Sequence, residues 1–337
     1  MTAEVLSTHT PELFQKAVQR AVELLRAGEV VALPTETVYG LAANVLDEKA
    51  VAKIFQIKGR PASNPIIVHV AGIEMAKRCA EIFPVLAEKL AKSFWPGPLT
   101  LVLPRSGKIP EIVTAGGATV GVRWPSHPFI QAVTRKCDFP LAAPSANLSN
   151  QISPTNAEHV GQQLGGKIPL IVDGGQSQVG IESTVLDLTV SPPRILRPGM
   201  IHAESLAAVC GEIQKTEDGR RKTEDVLRSP GLLQKHYSPK TKLVVLNWRD
   251  EADLKSQIAN RKPQIQNCHV IAHTKIPSVE NFADVSVMPH DAEAFARAIY
   301  AELHRCDEAG AELIVVEAPP DSPEWSGIED RLRRAAA

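Results

Sequence analysis

Apolar positions along the chain switch repeatedly between a helical and an extended period, and the switches mark out its elements. Residues 11 to 27 place Phe14, Val18, Val22 and Leu25 on one face, with Pro11 suited to a first turn and Gly28 closing the run. The short apolar stretch Val30-Val31-Ala32-Leu33 then reads as a buried strand. A second helix is expected over 47 to 57, with Asp47 as N-cap and Val51, Ile54 and Phe55 inward. A strand over 66 to 70, a helix over about 73 to 92 and a rigid turn at Trp95-Pro96-Gly97-Pro98 follow. Further strands are expected at 99–103, 119–125, 170–172, 183–188 and 194–199. Helices are expected near 127–136, after Pro154-Thr155 and near 203–210.

The pattern lapses between Gln214 and Arg228, where charges of both signs replace apolar residues, as in a mobile tether. From about 241 it resumes, with strands at 243–246, 270–272, 285–287 and 313–316. Asp291 caps an alanine-rich helix that Gly310 ends, and a short basic helix closes the chain. The division expected is a domain over 1–210, a linker over 211–240 and a smaller three-layer α/β domain over 241–337. The fold class is α/β throughout.

Length agrees with this, since 337 residues suit two domains. The net charge of -1 means that no global field draws the molecule to nucleic acid or a membrane, so any polyanion must be held by local clustering. Five scattered cysteines without a CxxC pair argue against zinc and disulfide frameworks and suit a reducing compartment. The first residues lack the order of a signal peptide, and no apolar run approaches the roughly 18 residues of a membrane span. A soluble, cytoplasmic protein is expected.

Candidate chemistry gathers at loops. Pro34 ends the first buried strand, and Thr35, Glu36 and Thr37 follow within three residues. One helix later, Lys58-Gly59-Arg60 sets a point charge beside a planar fork, a pair suited to phosphate. Ala143-Pro144-Ser145-Ala146-Asn147-Leu148-Ser149 offers backbone amides and small polar groups. His69 lies inside an apolar run, where a satisfied core histidine is the commoner reading, but its place after the basic pair favours the site. Arg123 stands near a strand exit. Ser183 and Arg197 belong to the late strands. No GxxxxGK[ST] and no GxGxxG after a strand is present, and no Ser-His-Asp or Cys-His arrangement can be read from spacing. Cys268-His269 reads as packing. Cations outnumber the nearby carboxylates, Glu36 and Glu182. A glycosidase-type pair is therefore excluded, and positioning with charge stabilisation at phosphorus is left.

Taken together, Pro34-Thr35-Glu36-Thr37-Val38-Tyr39-Gly40, Lys58-x-Arg60 with Asn64-Pro65, Ser145-Ala146-Asn147 and Ser183-Thr184-Val185 resemble the YrdC-like family over about residues 12 to 205. The stretch Ser229 to Pro239 resembles the linker of its two-domain branch. The resemblance implies a twisted, mixed-sheet N-terminal domain and a Rossmann-like C-terminal one. It implies condensation of L-threonine, bicarbonate and ATP to threonylcarbamoyl-AMP with release of pyrophosphate, aided by Mg2+. Thr35, His69, Arg123, Ala143 and Ser183 would then surround threonine, with Arg123 on its carboxylate. Lys58, Arg60, Ala62, Thr119, Ser145, Asn147, Ser153 and Arg197 would hold ATP, with Lys58, Arg60 and Arg197 neutralising charge on the phosphates. His236 and Tyr237 would join the nucleotide site from a linker acting as a lid. No protein residue is expected to cage a metal, and no general base is assigned. Downstream, the product would pass to a tRNA threonylcarbamoyl transferase complex, and weak binding of tRNA or other duplex RNA is compatible with that. Asn150 departs from the family's glycine at a position needing left-handed angles, which Asn tolerates. Two competing readings are a duplex-RNA binding module built on the same cations, and the carbamoyl-transfer unit of a hydrogenase-maturation protein. The second lacks its cysteine-rich zinc modules here.

Overall fold

The structure is a computed structural model and describes residues 2–214, 236–261 and 265–337. They form two compact units, residues 2–149 with 153–214, and residues 150–152 with those from 236 onward. Most of the expected tether lies outside the described residues.

The N-terminal unit carries β1 (Glu4–Ser7), α1 (Pro11–Arg26), β2 (Val31–Leu33), β3 (Gly40–Asn44), α2 (Glu48–Lys58), β4 (Val68–His69), α3 (Ile73–Cys79) and α4 (Val85–Phe94). It continues with β5 (Leu99–Pro104), β6 (Thr119–Arg123), α5 (Pro128–Cys137), β7 (Leu141–Ala142), α6 (Ala157–Leu164), β8 (Leu170–Asp173), β9 (Thr184–Asp187), β10 (Arg194–Arg197) and α7 (Ala203–Cys210). Its strands join one ten-stranded sheet in the order β1-β8-β2-β3-β7-β4-β6-β5-β9-β10. The sheet is mixed: β4 runs parallel to β6, while β3, β7 and β4 pair antiparallel in turn.

Alternation along the central strands fills two cores. Ala32, Leu41 and Ala43 enter one, and Val31, Leu33 and Ala42 enter the other, so β2 and β3 are covered on both faces. The second core is closed by Ala17, Val18, Ala21, Val22 and Leu25 of α1 against Phe129, Ile130 and Val133 of α5. Local signals fix the helix ends. Thr10 accepts from the Leu13 amide and Asp47 from those of Lys49 and Ala50, while Gly59 stops α2 at φ 61°.

The helix expected over 73–92 is two helices. Pro84 supplies no amide to continue the first and biases Phe83 away from helical angles, so the chain turns extended at Ala80 and restarts at Val85. The strand expected over 66–70 keeps ladder pairing only at Val68–His69.

The C-terminal unit holds β11 (Lys242–Leu246), α8 (Glu251–Ala259), β12 (Cys268–Ala272), β13 (Asp284–Val287), α9 (Ala292–Glu308), β14 (Leu313–Glu317) and α10 (Ser326–Ala335). Its four strands are all parallel, in the order β11-β14-β12-β13. Asp291 caps α9 by accepting from the Ala294 amide, and Gly310 follows its end at φ 74°.

One glycine ties the fold to the Thr35 loop. A Cβ on Gly174, just after β8, would lie 2.7 Å from Cγ and 2.8 Å from Cβ of Pro34, a ring that cannot swing aside. Gly174→Ala should therefore cost about 1–3 kcal/mol through overpacking and shift Pro34 with the loop behind it. A thermal melt reports the cost, and an unchanged melting temperature would show that the loop tolerates displacement.

Candidate active site

The loop from Pro34 to Tyr39 is buried although it is polar: Thr35, Glu36 and Thr37 are each less than a tenth exposed. Thr35 Oγ1 donates to the Val38 carbonyl at 2.5 Å and lies 3.0 Å from Thr37 Oγ1. The turn is thus held from within. Residues after β8 hold it from outside, through Ser177 Oγ to Thr35 O at 3.0 Å and the Val179 amide to Glu36 O at 2.7 Å. Tyr39 locks the same two segments, its hydroxyl donating to Gly175 O and accepting from the Gly174 amide.

Arg123 ends β6 and reaches this loop. Its guanidinium donates to Glu36 Oε1 at 2.7 Å, to Thr37 Oγ1 at 2.9 Å and to Gly97 O at 3.3 Å. In sheet order β6 is four places from β2, about 19 Å in a flat sheet, so twist and loop together bring these groups into contact. These contacts use three of the five donors of the fork. His69 of β4 stands opposite Arg123 in register, and neither of its ring nitrogens has a partner among the described residues. Burial, and then the Arg123 charge, hold its pKa well below the usual histidine value, so it sits as neutral imidazole. His127 caps α5 through Nδ1 and feels the Glu36 charge, yet burial still lowers its pKa.

Lys58, the last residue of α2, is buried, and its ammonium donates to Ser145 O at 2.6 Å and to Asn147 O, with Asn147 Oδ1 at 3.3 Å. Burial, then the Arg60 charge, lowers its pKa, while three oxygens match the three donors of an ammonium. Its own carbonyl accepts from the Ser149 amide, so both ends of this residue fasten the Ala143–Ser149 loop. Arg60 donates to Asn64 O at 3.0 Å and Pro65 O at 2.7 Å, which folds its turn around the guanidinium. Ala62 is exposed on that turn. Ala143 donates its amide to Ile67 O, and Gly40 packs against it.

Arg197 of β10 donates to Ser183 O from Nε and Nη2 and to Ser183 Oγ at 3.1 Å, and that hydroxyl lies 2.8 Å from Thr100 Oγ1. Ser153 Oγ donates to Glu182 Oε1 at 2.6 Å. Thr119 begins β6, about 13 Å along the strand from Arg123, and lines a cavity with Pro65, Ile67, Thr100, Gly121 and Val185. Hydrogen bonds therefore join the candidates in three groups: Thr35 with Arg123, Lys58 with Ser145 and Asn147, and Ser183 with Arg197. Thr119, Ala62 and the His69 ring stand apart from these bonds.

His236 and Tyr237 belong to the C-terminal unit. Tyr237 is buried at φ 61°, unusual for a bulky side chain. Its ring packs edge-on to His236, stacks on Tyr300 and lies 5.2 Å from the guanidinium of Arg331. The Ser238 amide donates to Asn150 O at 2.9 Å, and Asn150 takes the left-handed angle expected of it, at φ 67°.

Sequence reasoning left Thr37, His127 and Ser177 without a task, and nothing short of long-range contacts would have revealed them. Among the described residues no cluster of three metal-ligating side chains occurs. Of the nearby carboxylates, Glu36 is paired with Arg123 through Oε1, and Glu182 accepts from Ser153. No helix among the described residues is long and apolar enough to cross a membrane.

Residues 23–199 match the family model of Sua5, YciO and YrdC proteins, described as telomere recombination. Residues 201–337 match the model described as the threonylcarbamoyl-AMP synthase C-terminal domain. The threonylcarbamoyl-AMP synthase of Pyrococcus abyssi is 41% identical over 319 residues, 94% of this chain and 93% of that protein. That of Bacillus subtilis is 40% identical over 334 residues, 98% of this chain and 94% of that protein. The crystal structure of P. abyssi Sua5 complexed with L-threonine superposes with a TM-score of 0.90 at 38% identity, covering 100% of this chain and 98% of that one. The chain belongs to the threonylcarbamoyl-AMP synthase family.

Proposed function

We propose that this protein is an L-threonylcarbamoyladenylate synthase, condensing L-threonine, bicarbonate or CO2, and ATP to threonylcarbamoyl-AMP and pyrophosphate. The observation that carries the reading is a set of buried cations, Lys58, Arg60, Arg123 and Arg197, in a unit whose sequence kinship is with such synthases. Buried positive groups that already order polar loops suit a polyanionic substrate and a reaction in which charge builds on phosphate.

Threonine is held by Thr35, His69, Arg123, Ala143 and Ser183, with spare donors of Arg123 on its carboxylate. Lys58, Arg60, Ala62, Thr119, Ser145, Asn147, Ser153 and Arg197 hold ATP, joined by His236 and Tyr237. The threonine nitrogen takes up carbon dioxide as a carbamate, whose oxygen displaces pyrophosphate from the α-phosphorus. Arg60 and Arg197 hold the phosphate oxygens as the bond to the leaving group breaks, and Lys58 adds its charge from behind the Ser145–Asn147 loop that it fastens. Mg2+ would belong to the nucleotide substrate and would supply further neutralisation of phosphate charge, beside that of Lys58, Arg60 and Arg197. The product is a mixed anhydride open to hydrolysis, and His236 and Tyr237 protect it from water. It is consumed by a transferase complex that modifies tRNA in the cytoplasm.

Duplex-RNA recognition by the same cations is disfavoured, because Lys58 is 2%, Arg60 8%, Arg123 4% and Arg197 3% exposed, beyond the reach of a phosphate backbone.

Pyrophosphate release tests the reading. It should require ATP, threonine and bicarbonate together, and release that ignores threonine would refute it. Tyr237→Ala tests the protective role: the yield of intact adduct should fall several-fold more than the affinity for ATP. An adduct yield equal to the parent's would remove Tyr237 from that role.

A further inference from the structure

Glu36 has a task left over after its pairing with Arg123. One carboxylate oxygen, Oε1, accepts from Arg123 at 2.7 Å, while the other, Oε2, is buried and has no partner among the described residues. Buried carboxylate oxygens are rarely left so, because each has given up water and gained nothing in return. The groups around it do not supply the missing donor. Arg123, from β6, donates to Oε1, to Thr37 and to Gly97 O and makes no hydrogen bond to Oε2. His127, from the cap of α5, donates no hydrogen bond to Oε2, and His69, from β4, stands on the Arg123 side; burial holds both towards the neutral form. The site therefore presents a fixed cation and, joined to it, one anionic oxygen that lacks a donor.

That pair is complementary to an amino-acid zwitterion, carboxylate towards Arg123 and ammonium towards Glu36. It also meets a chemical need, since an ammonium has no lone pair and cannot form a carbamate until a proton leaves. We infer that Glu36 binds the α-ammonium of threonine through Oε2 and takes its proton, as the general base of carbamate formation. This rests on the synthase reading above.

The step balances without further reagents. An N–H bond of the ammonium breaks as Oε2 takes the proton. Glu36 passes that proton to the hydroxyl of bicarbonate, whose C–O bond breaks to release water and leave carbon dioxide. The amine lone pair then forms the N–C bond as one C=O pair moves onto oxygen. The surplus proton on nitrogen leaves through Glu36 to water. Ammonium and bicarbonate have become carbamate, water and one proton, and the carboxylate is restored.

Glu36→Gln keeps the size of the side chain and an oxygen for Arg123 but cannot accept a proton. Its kcat/KM for threonine near neutral pH should fall about 100-fold or more, with the KM for ATP nearly unchanged. The deficit should shrink about tenfold per unit between about pH 7 and about pH 9, as solution supplies more free amine. A role confined to holding Arg123 predicts a deficit constant with pH, and either that result or near-parental activity overturns the inference. Should the variant fail to fold, the unmodified protein still decides through competition by 2,3-dihydroxybutanoate, which carries a hydroxyl in place of the ammonium. It should bind at least about tenfold more weakly than threonine, and equal binding overturns the contact. If the unmodified protein releases no pyrophosphate with threonine and bicarbonate, it is the synthase reading that has failed.

Discussion

Lys58→Met should lower synthase activity by about a thousandfold, the largest loss expected of any single substitution. Two effects combine. The nucleotide loses a fixed positive charge, and the loop that would cradle it loses its fastening at Ser145 O, Asn147 O and Asn147 Oδ1. Methionine keeps the unbranched stem, so the cavity left is small, but carbonyls that lose their donor in a buried site cost about 1–3 kcal/mol each. The melting temperature should therefore fall along with activity. Threonine binding in the absence of ATP separates the effects, since it should survive. A variant that retains a tenth of the parental activity would show that the ammonium orders the loop and does nothing for the phosphates.

Arg123→Lys should reduce kcat/KM for threonine by about a hundredfold or more while sparing ATP binding. A lysine keeps the charge but cannot reach Glu36, Thr37 and Gly97 O at once, as the planar fork does. The alanine variant should be worse in a different way. Removing one member of the buried Arg123–Glu36 pair leaves a carboxylate without its cation and costs about 3–5 kcal/mol. Comparing the two by melting and by threonine titration tells loss of recognition from loss of fold. An unaltered threonine KM in the lysine variant would mean that the carboxylate is held elsewhere.

The parts of the molecule legible in its sequence are those whose cause is local. The helix from Pro11 and the one capped by Asp47 carry their own start signals and apolar stripes, and the structure has both within a residue or two. Thr35, Ser145 and Asn147 are legible as polar residues in turns at the ends of buried strands, and Lys58 as a cation at the glycine-stopped end of a helix. What could not be read is the pairing that makes a site of them. Glu36 and Arg123 are 87 residues apart, and Lys58 and Asn147 are 89 apart. Their meeting depends on a strand order in which β7 separates β3 from β4. The edge strand β1 leaves little trace in the sequence because it is half exposed and its partner, β8, lies some 165 residues later in the chain. The helix break before Val85 is hidden by apolar spacing that continues across Pro84, and the proline, not the spacing, decides.

One chain joins three small molecules in a defined order of bonds. The most direct test is incubation with ATP, L-threonine and 13C-bicarbonate, followed by mass analysis of the nucleotide products. The expected product is an adenylate of threonylcarbamate mass, heavier by a single mass unit than with unlabelled bicarbonate, together with pyrophosphate. An unlabelled threonyl adenylate would contradict it, because the amino acid's own carboxylate and not a carbamate would then have attacked the phosphorus.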